Sequence, residues 1–190
     1  MSTLYVDNLR SNLSTKITVP SGNTLDVSGA TFTPPAGHVI QTVSTTKTDT
    51  ATTSSTGFGS ISGLSVSITP TSSTSKILVT FNMHLAMAIA GWGGFVKLRR
   101  DTTDILVGDA AGSRGQVTTS FYMVSNTQFV NSVGNQILDD PSSTSALSYN
   151  LQWRTQSSSV AMYLNRNGAD GDSATVPRLA STITAMEIAQ

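Results

Sequence analysis

The sequence predicts an all-β protein. An extended N-terminal anchor and stalk over residues 1–36, packed against further copies of the chain, leads into an antiparallel, jelly-roll-like β-sandwich knob over residues 37–190. Three observations carry this. Val, Ile, Thr and aromatic residues recur in short alternating runs between turn clusters. Leu-, Glu-, Lys- and Ala-rich stretches with apolar spacing of three and four, the mark of helices, are missing. The first thirty-six residues hold strand fragments too short to build a core of their own.

That opening stretch places Leu4, Val6, Ile17, Val19, Leu25, Val27 and Phe32 among Ser, Thr, Asn and Gly, with breaks at Pro20-Ser21-Gly22 and Ser28-Gly29. Fragments like these can bury apolar side chains against identical copies stacked beside them. Leu4, Tyr5, Val6 and Leu9 are the candidate anchoring residues. Pro34-Pro35-Ala36-Gly37 marks the boundary, because proline stops strand pairing and stiffens the exit.

Beyond the boundary the strands read off in order. In Val39–Val43, Val39 and Val43 share a face with Gln41, and a polar loop rich in Ser and Thr follows. Leu64, Val66 and Ile68 line one face of a second run, with Ser65, Ser67 and Thr69 opposite. Lys76–Ala90 is apolar on both faces in places, which fits a central strand or one covered by another subunit; it is read as strand rather than helix. Phe95–Arg100, Ile105–Val107, Val117–Val124 and Thr127–Val130 follow. Leu147, Tyr149, Leu151 and Trp153 alternate with Ser148, Asn150, Gln152 and Arg154. Val160–Leu164 and Leu179–Ile188 complete the set. Turn clusters at Gly57–Gly59, Pro70–Ser75, Gly91–Gly94, Gly112–Gly115, Asp139–Pro141 and Asn167–Asp172 separate them. Many short strands at such spacing suggest a sandwich or jelly roll.

Composition narrows function. Charged residues are 12% of the chain and the formal net charge is zero, which argues against nucleic acid as a partner, since phosphate binding needs clustered Lys and Arg. Ser and Thr supply 56 of the 190 residues, while a neutral surface is a solubility liability for a free monomer. Assembly into a larger particle removes much of that liability. With no cysteine, disulfides, thiol catalysis and Cys-ligated zinc are all excluded. No secretory signal and no membrane-inserting run of roughly 20 apolar residues is read in the chain.

Thr3-Leu4-Tyr5-Val6-Asp7-Asn8-Leu9, the later Pro20-Ser21-Gly22-Asn23 and the switch into Gly37-His38-Val39-Ile40-Gln41 resemble the N-termini of tail-fibre-like virion structural proteins of marine tailed phages, cyanophages among them. Ser67-Ile68-Thr69-Pro70 before Ser75-Lys76-Ile77-Leu78-Val79, and the closing Leu179–Ile188, are similar to the same proteins. The resemblance implies a homotrimeric virion appendage, anchored on the particle by its N-terminus and ending in a C-terminal knob. The knob is also similar to trimeric jelly rolls of the C1q and tumour-necrosis-factor type, in which the final strand lies near the trimer axis.

The candidate site residues follow from chemistry. Trp92 sits between Gly91 and Gly93-Gly94, so it is either an aromatic platform for a host surface sugar or a plug at the interface or sandwich end. Lys97, Arg99, Arg100 and Arg114 form the only basic concentration, suited to a negative glycan or to pairing with Asp101 and Asp104. His84 reads as a core or interface histidine before a metal ligand on a three-fold axis. Asn165–Asp172 gathers oxygen atoms but lacks the closing Glu of a calcium loop, so it reads as a turn. No Gly-x-Ser-x-Gly elbow is present, and Glu187 is the only glutamate. The expectation is a non-enzymatic phage fibre or adhesin in the virion. It would use no cofactor or metal, contact other virion proteins at a tail, collar or capsid, and touch a host surface glycan through its knob. A head fibre or capsid-decorating protein is the alternative, and an envelope-polysaccharide depolymerase a more distant one.

Overall fold

The computed structural model describes residues 21–24 and 34–190, and the fold is that of the unit Pro34–Gln190. Most of the expected stalk, with Leu4, Tyr5, Val6 and Leu9, lies outside the described residues. Eleven strands and no helix occur among those described: β1 (Val39–Lys47), β2 (Ala51–Thr53), β3 (Gly59–Ile68), β4 (Lys76–Met87), β5 (Trp92–Arg100), β6 (Thr103–Ile105), β7 (Thr119–Met123), β8 (Asn131–Asp139), β9 (Leu147–Thr155), β10 (Met162–Leu164) and β11 (Ser181–Ile188).

All pairings are antiparallel. In the first sheet β11 lies between β1 and β4, and β8 pairs the opposite edge of β4; β10 and β2 extend the β11–β1 side beyond the end of β11. In the second sheet β9 lies between β3 and β5, and β7 and β6 share the outer edge of β5. The inner faces of both sheets share one core, as in a β-sandwich.

Alternation places that core. Ile77, Val79, Met83 and Leu85 of β4 are fully buried, as are Tyr149 and Leu151 of β9 and Ile183 and Ala185 of β11. Leu64, Val66 and Ile68 close it from β3. Each fully buried Leu or Ile contributes on the order of 1.5–3 kcal/mol. Trp153, on the apolar face read from the sequence, is 5% exposed.

Several boundaries differ from expectation for physical reasons. The expected strand at Thr127–Val130 is loop, and β8 begins one residue later. Its sequence, Asn131-Ser-Val-Gly-Asn-Gln-Ile-Leu-Asp139, has poor strand propensity, but a nine-residue ladder against β4 outweighs it. Gly134 fits because a Cβ there would stand 2.6 Å from the Phe81 carbonyl oxygen. A register shift between Val39 and Gln41 breaks the expected common face of Val39 and Val43: Val39 is 53% exposed while Val43 packs on the core. The polar loop expected after Val43 is strand as far as Lys47, then β2. β6 stops at Ile105, and Leu106 leaves the ladder at φ 54°.

The Gly91–Gly94 turn is the main correction. β5 already begins at Trp92, and Gly93 and Gly94 are buried strand residues. A Cβ on Gly94 would overlap Met162 Sδ and stand 2.7 Å from Phe121 Cε1, so this glycine serves close packing between sheets.

Candidate functional site

Trp92, read as either a loop platform or a plug at the interface or sandwich end, is half-buried and packs against the core. It has the parity of Val96 and Leu98, whose side chains are fully buried. The exposed large apolar side chains beside it are Ile89 in the preceding turn and Tyr122 and Val124 at the end of β7, at 51%, 53% and 81%.

The basic group divides in three. Lys97 and Arg99 point outward from β5 and both engage Asp104 on the β6 hairpin, Arg99 Nε at 3.0 Å from Oδ1. Of the two carboxylates expected to pair with them, Asp104 does so. Asp101 instead accepts a 2.9 Å hydrogen bond from the Ser148 amide, at the hairpin corner where its own φ is 52°. Arg100 turns the other way. Its Nη1 and the Tyr149 hydroxyl both donate to Asp139 Oδ2, each at 2.7 Å. Burial opposes the arginine's charge and Asp139 overcomes it, holding Arg100 above its ordinary value. Burial, then the same carboxylate, drives the Tyr149 hydroxyl far above the usual tyrosine range. Arg100 is thus a structural ion-pair residue. Arg114 is exposed, and its Nη1 donates to the Ala111 carbonyl at 3.3 Å.

The sequence reading missed the centre of this surface. Arg154, on the polar face of β9, is the registered neighbour of Phe95 on β5. Its guanidinium carbon lies 4.2 Å from the Phe95 ring centre and 5.1 Å from that of Phe58. Lys97 Nζ lies 4.7 Å from the Phe58 ring centre. Cations over aromatic faces are attracted by the ring quadrupole. Gln152, paired with Lys97 and Ser60, and Asn150, paired with Arg99 and Ser65, continue the row. Among the described residues Arg154 has no carboxylate partner; its one other contact is a 3.4 Å hydrogen bond to the Thr155 carbonyl. The signal existed in the alternation of Leu147–Arg154, but only strand register brings Phe58, Phe95 and Arg154 together.

The Asn165–Asp172 segment is a built turn. Asn165, fully buried at φ 61°, donates from Nδ2 to the carbonyls of Lys47 and Asp49 at 2.7 and 2.9 Å. Its Oδ1 accepts from Ser181 Oγ at 2.6 Å. Asp170 is held between Arg166 at 3.1 Å and Arg178 at 2.5 Å, beside a surface hollow of about 330 Å³. Among the described residues no three His, Cys, Asp or Glu side chains gather as a metal site. His84 sits half-buried on the outer face of β4.

The chain matches no protein-family model and no curated protein.

Proposed function

We propose that this protein is a non-enzymatic virion structural protein, a homotrimeric fibre whose residues 1–36 join the particle and whose C-terminal knob contacts the host surface. The observation that carries the reading is the outer face of the β1–β11–β4–β8 sheet. Leu138, Leu78 and Met186 form a registered apolar row across β8, β4 and β11, with Ile188 beside it. Around them stand Thr80, Thr182, Thr184, Ser44 and Gln136. The titratable side chains on this face are Lys76, paired with Asp140 at its end, and His84. A broad sheet face with so little charge suits contact with further copies of the chain, since charge is depleted in the cores of protein interfaces.

The strand order supports the same reading. The principal strands run 1-11-4-8 in one sheet and 3-9-5-7 in the other, which is the order of a jelly roll, and the final strand β11 is central in its sheet. Three knobs joined through that sheet would leave the Arg154 face outward on every subunit, and weak contacts repeated by symmetry give avidity. The attachment of such a protein to a phage particle rests on the likeness of its two ends to tail-fibre-like proteins.

Light scattering of the full-length protein after size exclusion tests the assembly, with a three-chain mass expected. Binding of the same fluorescently labelled protein to marine cyanobacterial cells tests the adhesion. A monomer that binds no cells would overturn both parts.

A further inference from the structure

We infer that the outer face of the β3–β9–β5 sheet, centred on Arg154, is a binding site for the carboxylates of an acidic polysaccharide. The inference deepens the adhesin reading and rests on it for its setting. Its argument begins with charge. Lys97, Arg99 and Arg154 lie on this face and the loop that carries Arg114 passes beside it, and among the described residues Asp104 is the one carboxylate that pairs with any of the four. Asp109, in the same loop as Arg114, forms no ion pair among the described residues. Among the described residues Arg114 and Arg154 are therefore left without an anion.

Those two are close in the fold. A Cβ built on Gly115 would stand 3.3 Å from Arg154 Nη2, so the loop that carries Arg114 passes directly beside the Arg154 guanidinium. Phe58 and Phe95 flank the Arg154 guanidinium, which restricts its rotamers; Nη1 bonds the Thr155 carbonyl and Nη2 lies beside Gly115, and the N–H groups not so engaged can donate to a carboxylate. A planar fork held in this way matches a carboxylate. Gln152, Asn150, Ser60 and Ser65 supply amide and hydroxyl groups along the neighbouring strands, able to bond sugar hydroxyls. The face is an open sheet, so it suits a chain lying across it better than an enclosed small molecule. The outer face of β1, β11, β4 and β8, with its apolar row, has hydroxyl and amide groups but no arginine.

The test is isothermal titration of the full-length protein with polygalacturonate, neutral dextran and dextran sulfate at physiological ionic strength. Polygalacturonate is expected to bind and dextran not. Loss of one charge-assisted bidentate contact costs about tenfold in affinity, so Arg154→Gln should weaken binding by that factor or more. Arg154→Lys, which keeps the charge but not the fork, should fall between. Arg114→Gln, at an exposed position that threatens no folding, should also weaken it, and Arg178→Gln should not. Absence of polygalacturonate binding, or binding unchanged in both Arg154→Gln and Arg114→Gln, overturns the site. Tighter binding of dextran sulfate overturns the assignment to carboxylates. Cell binding that persists in Arg154→Gln and resists competition by polygalacturonate sinks this site and leaves the adhesin reading standing. Polygalacturonate binding without cell binding does the reverse.

Discussion

Glu187, the only glutamate in the chain, is fully buried in β11, and its Oε2 accepts a 2.6 Å hydrogen bond from Gln41 Nε2 on the neighbouring β1. Its Oε1 accepts two more at 2.7 Å, from the amide and hydroxyl of Thr71. One carboxylate thereby ties the β1 bulge, β11 and the loop before β4 together. Burial works against its ionisation, but the hydrogen bonds from Gln41 and Thr71 prevail, and its pKa is held below the ordinary glutamate range. The charged form is the one the fold favours. Its stabilisation is complete at pH values above that range and is lost as pH falls through the depressed folded value. Glu187→Gln should cost about 2 kcal/mol at neutral pH. Denaturant titrations of both proteins across the acid range should converge as pH falls; a gap that stays constant with pH would show that the charge contributes nothing.

Tyr149 has the opposite sign. Its hydroxyl is pushed up by burial and by the Asp139 carboxylate, so the neutral phenol is the form the fold holds. Stability from this preference is full below the ordinary tyrosine range and falls as pH rises above it, when the unfolded chain ionises and the folded one does not. Tyr149→Phe should cost about 1 kcal/mol at neutral pH and flatten part of the alkaline loss. Asp139→Ala removes the acceptor of both Tyr149 and Arg100 and leaves the arginine charge partly buried, so a loss of about 3 kcal/mol is expected in the same urea titrations.

These two networks show what a sequence reading reaches and where it stops. Alternation in Leu64–Ile68 and Leu147–Arg154 was enough to find the inner faces, because burial on one side of a strand writes itself into every second residue. It was not enough for β8, whose Asn131, Gly134 and Asn135 are strand by pairing and not by preference. Trp92 was misplaced because Gly91 and Gly93-Gly94 read as a loop, when Gly94 is small to let Met162 and Phe121 approach. The Arg154 cluster combines β9, β5 and the turn before β3, and the pairing register that joins them is a property of the fold.

Trp92 offers a direct check of that correction. Packed half-buried on the core, it should matter to stability more than to recognition. Trp92→Ala should lower stability by about 2 kcal/mol, less than a fully buried aromatic would. Its affinity for polygalacturonate, measured below its melting temperature, should match that of the unaltered protein. A stable Trp92→Ala protein that had lost glycan binding would return the residue to the recognition surface.

Asn165 separates two roles carried by one side chain. Its φ of 61° is a conformation that Asn and Gly tolerate, and its amide joins Lys47, Asp49 and Ser181. Asn165→Gly keeps the backbone comfortable and removes the hydrogen bonds, so its cost of about 2 kcal/mol reports the network together with the added freedom of the unfolded chain. Asn165→Ala adds backbone strain and should cost about 1 kcal/mol more. Equal melting temperatures for the two variants would mean that the strain of the left-handed backbone does no more than offset glycine's greater unfolded-state entropy.

The last prediction concerns the uncharged sheet. Met186 sits between Leu78 on β4 and Thr42 on β1, with Leu138 of β8 beyond Leu78. Its side chain is half-exposed on the outer face and makes no part of the buried core. In a monomer Met186→Glu would therefore be nearly neutral. In a trimer joined through this face it would place three carboxylates against apolar neighbours, at a cost of several kcal/mol for each charge removed from water. Light scattering should then give a one-chain mass for Met186→Glu, with far-ultraviolet circular dichroism unchanged. A three-chain mass for the variant would mean that the copies meet elsewhere, and the apolar row across β8, β4 and β11 would belong to a different partner.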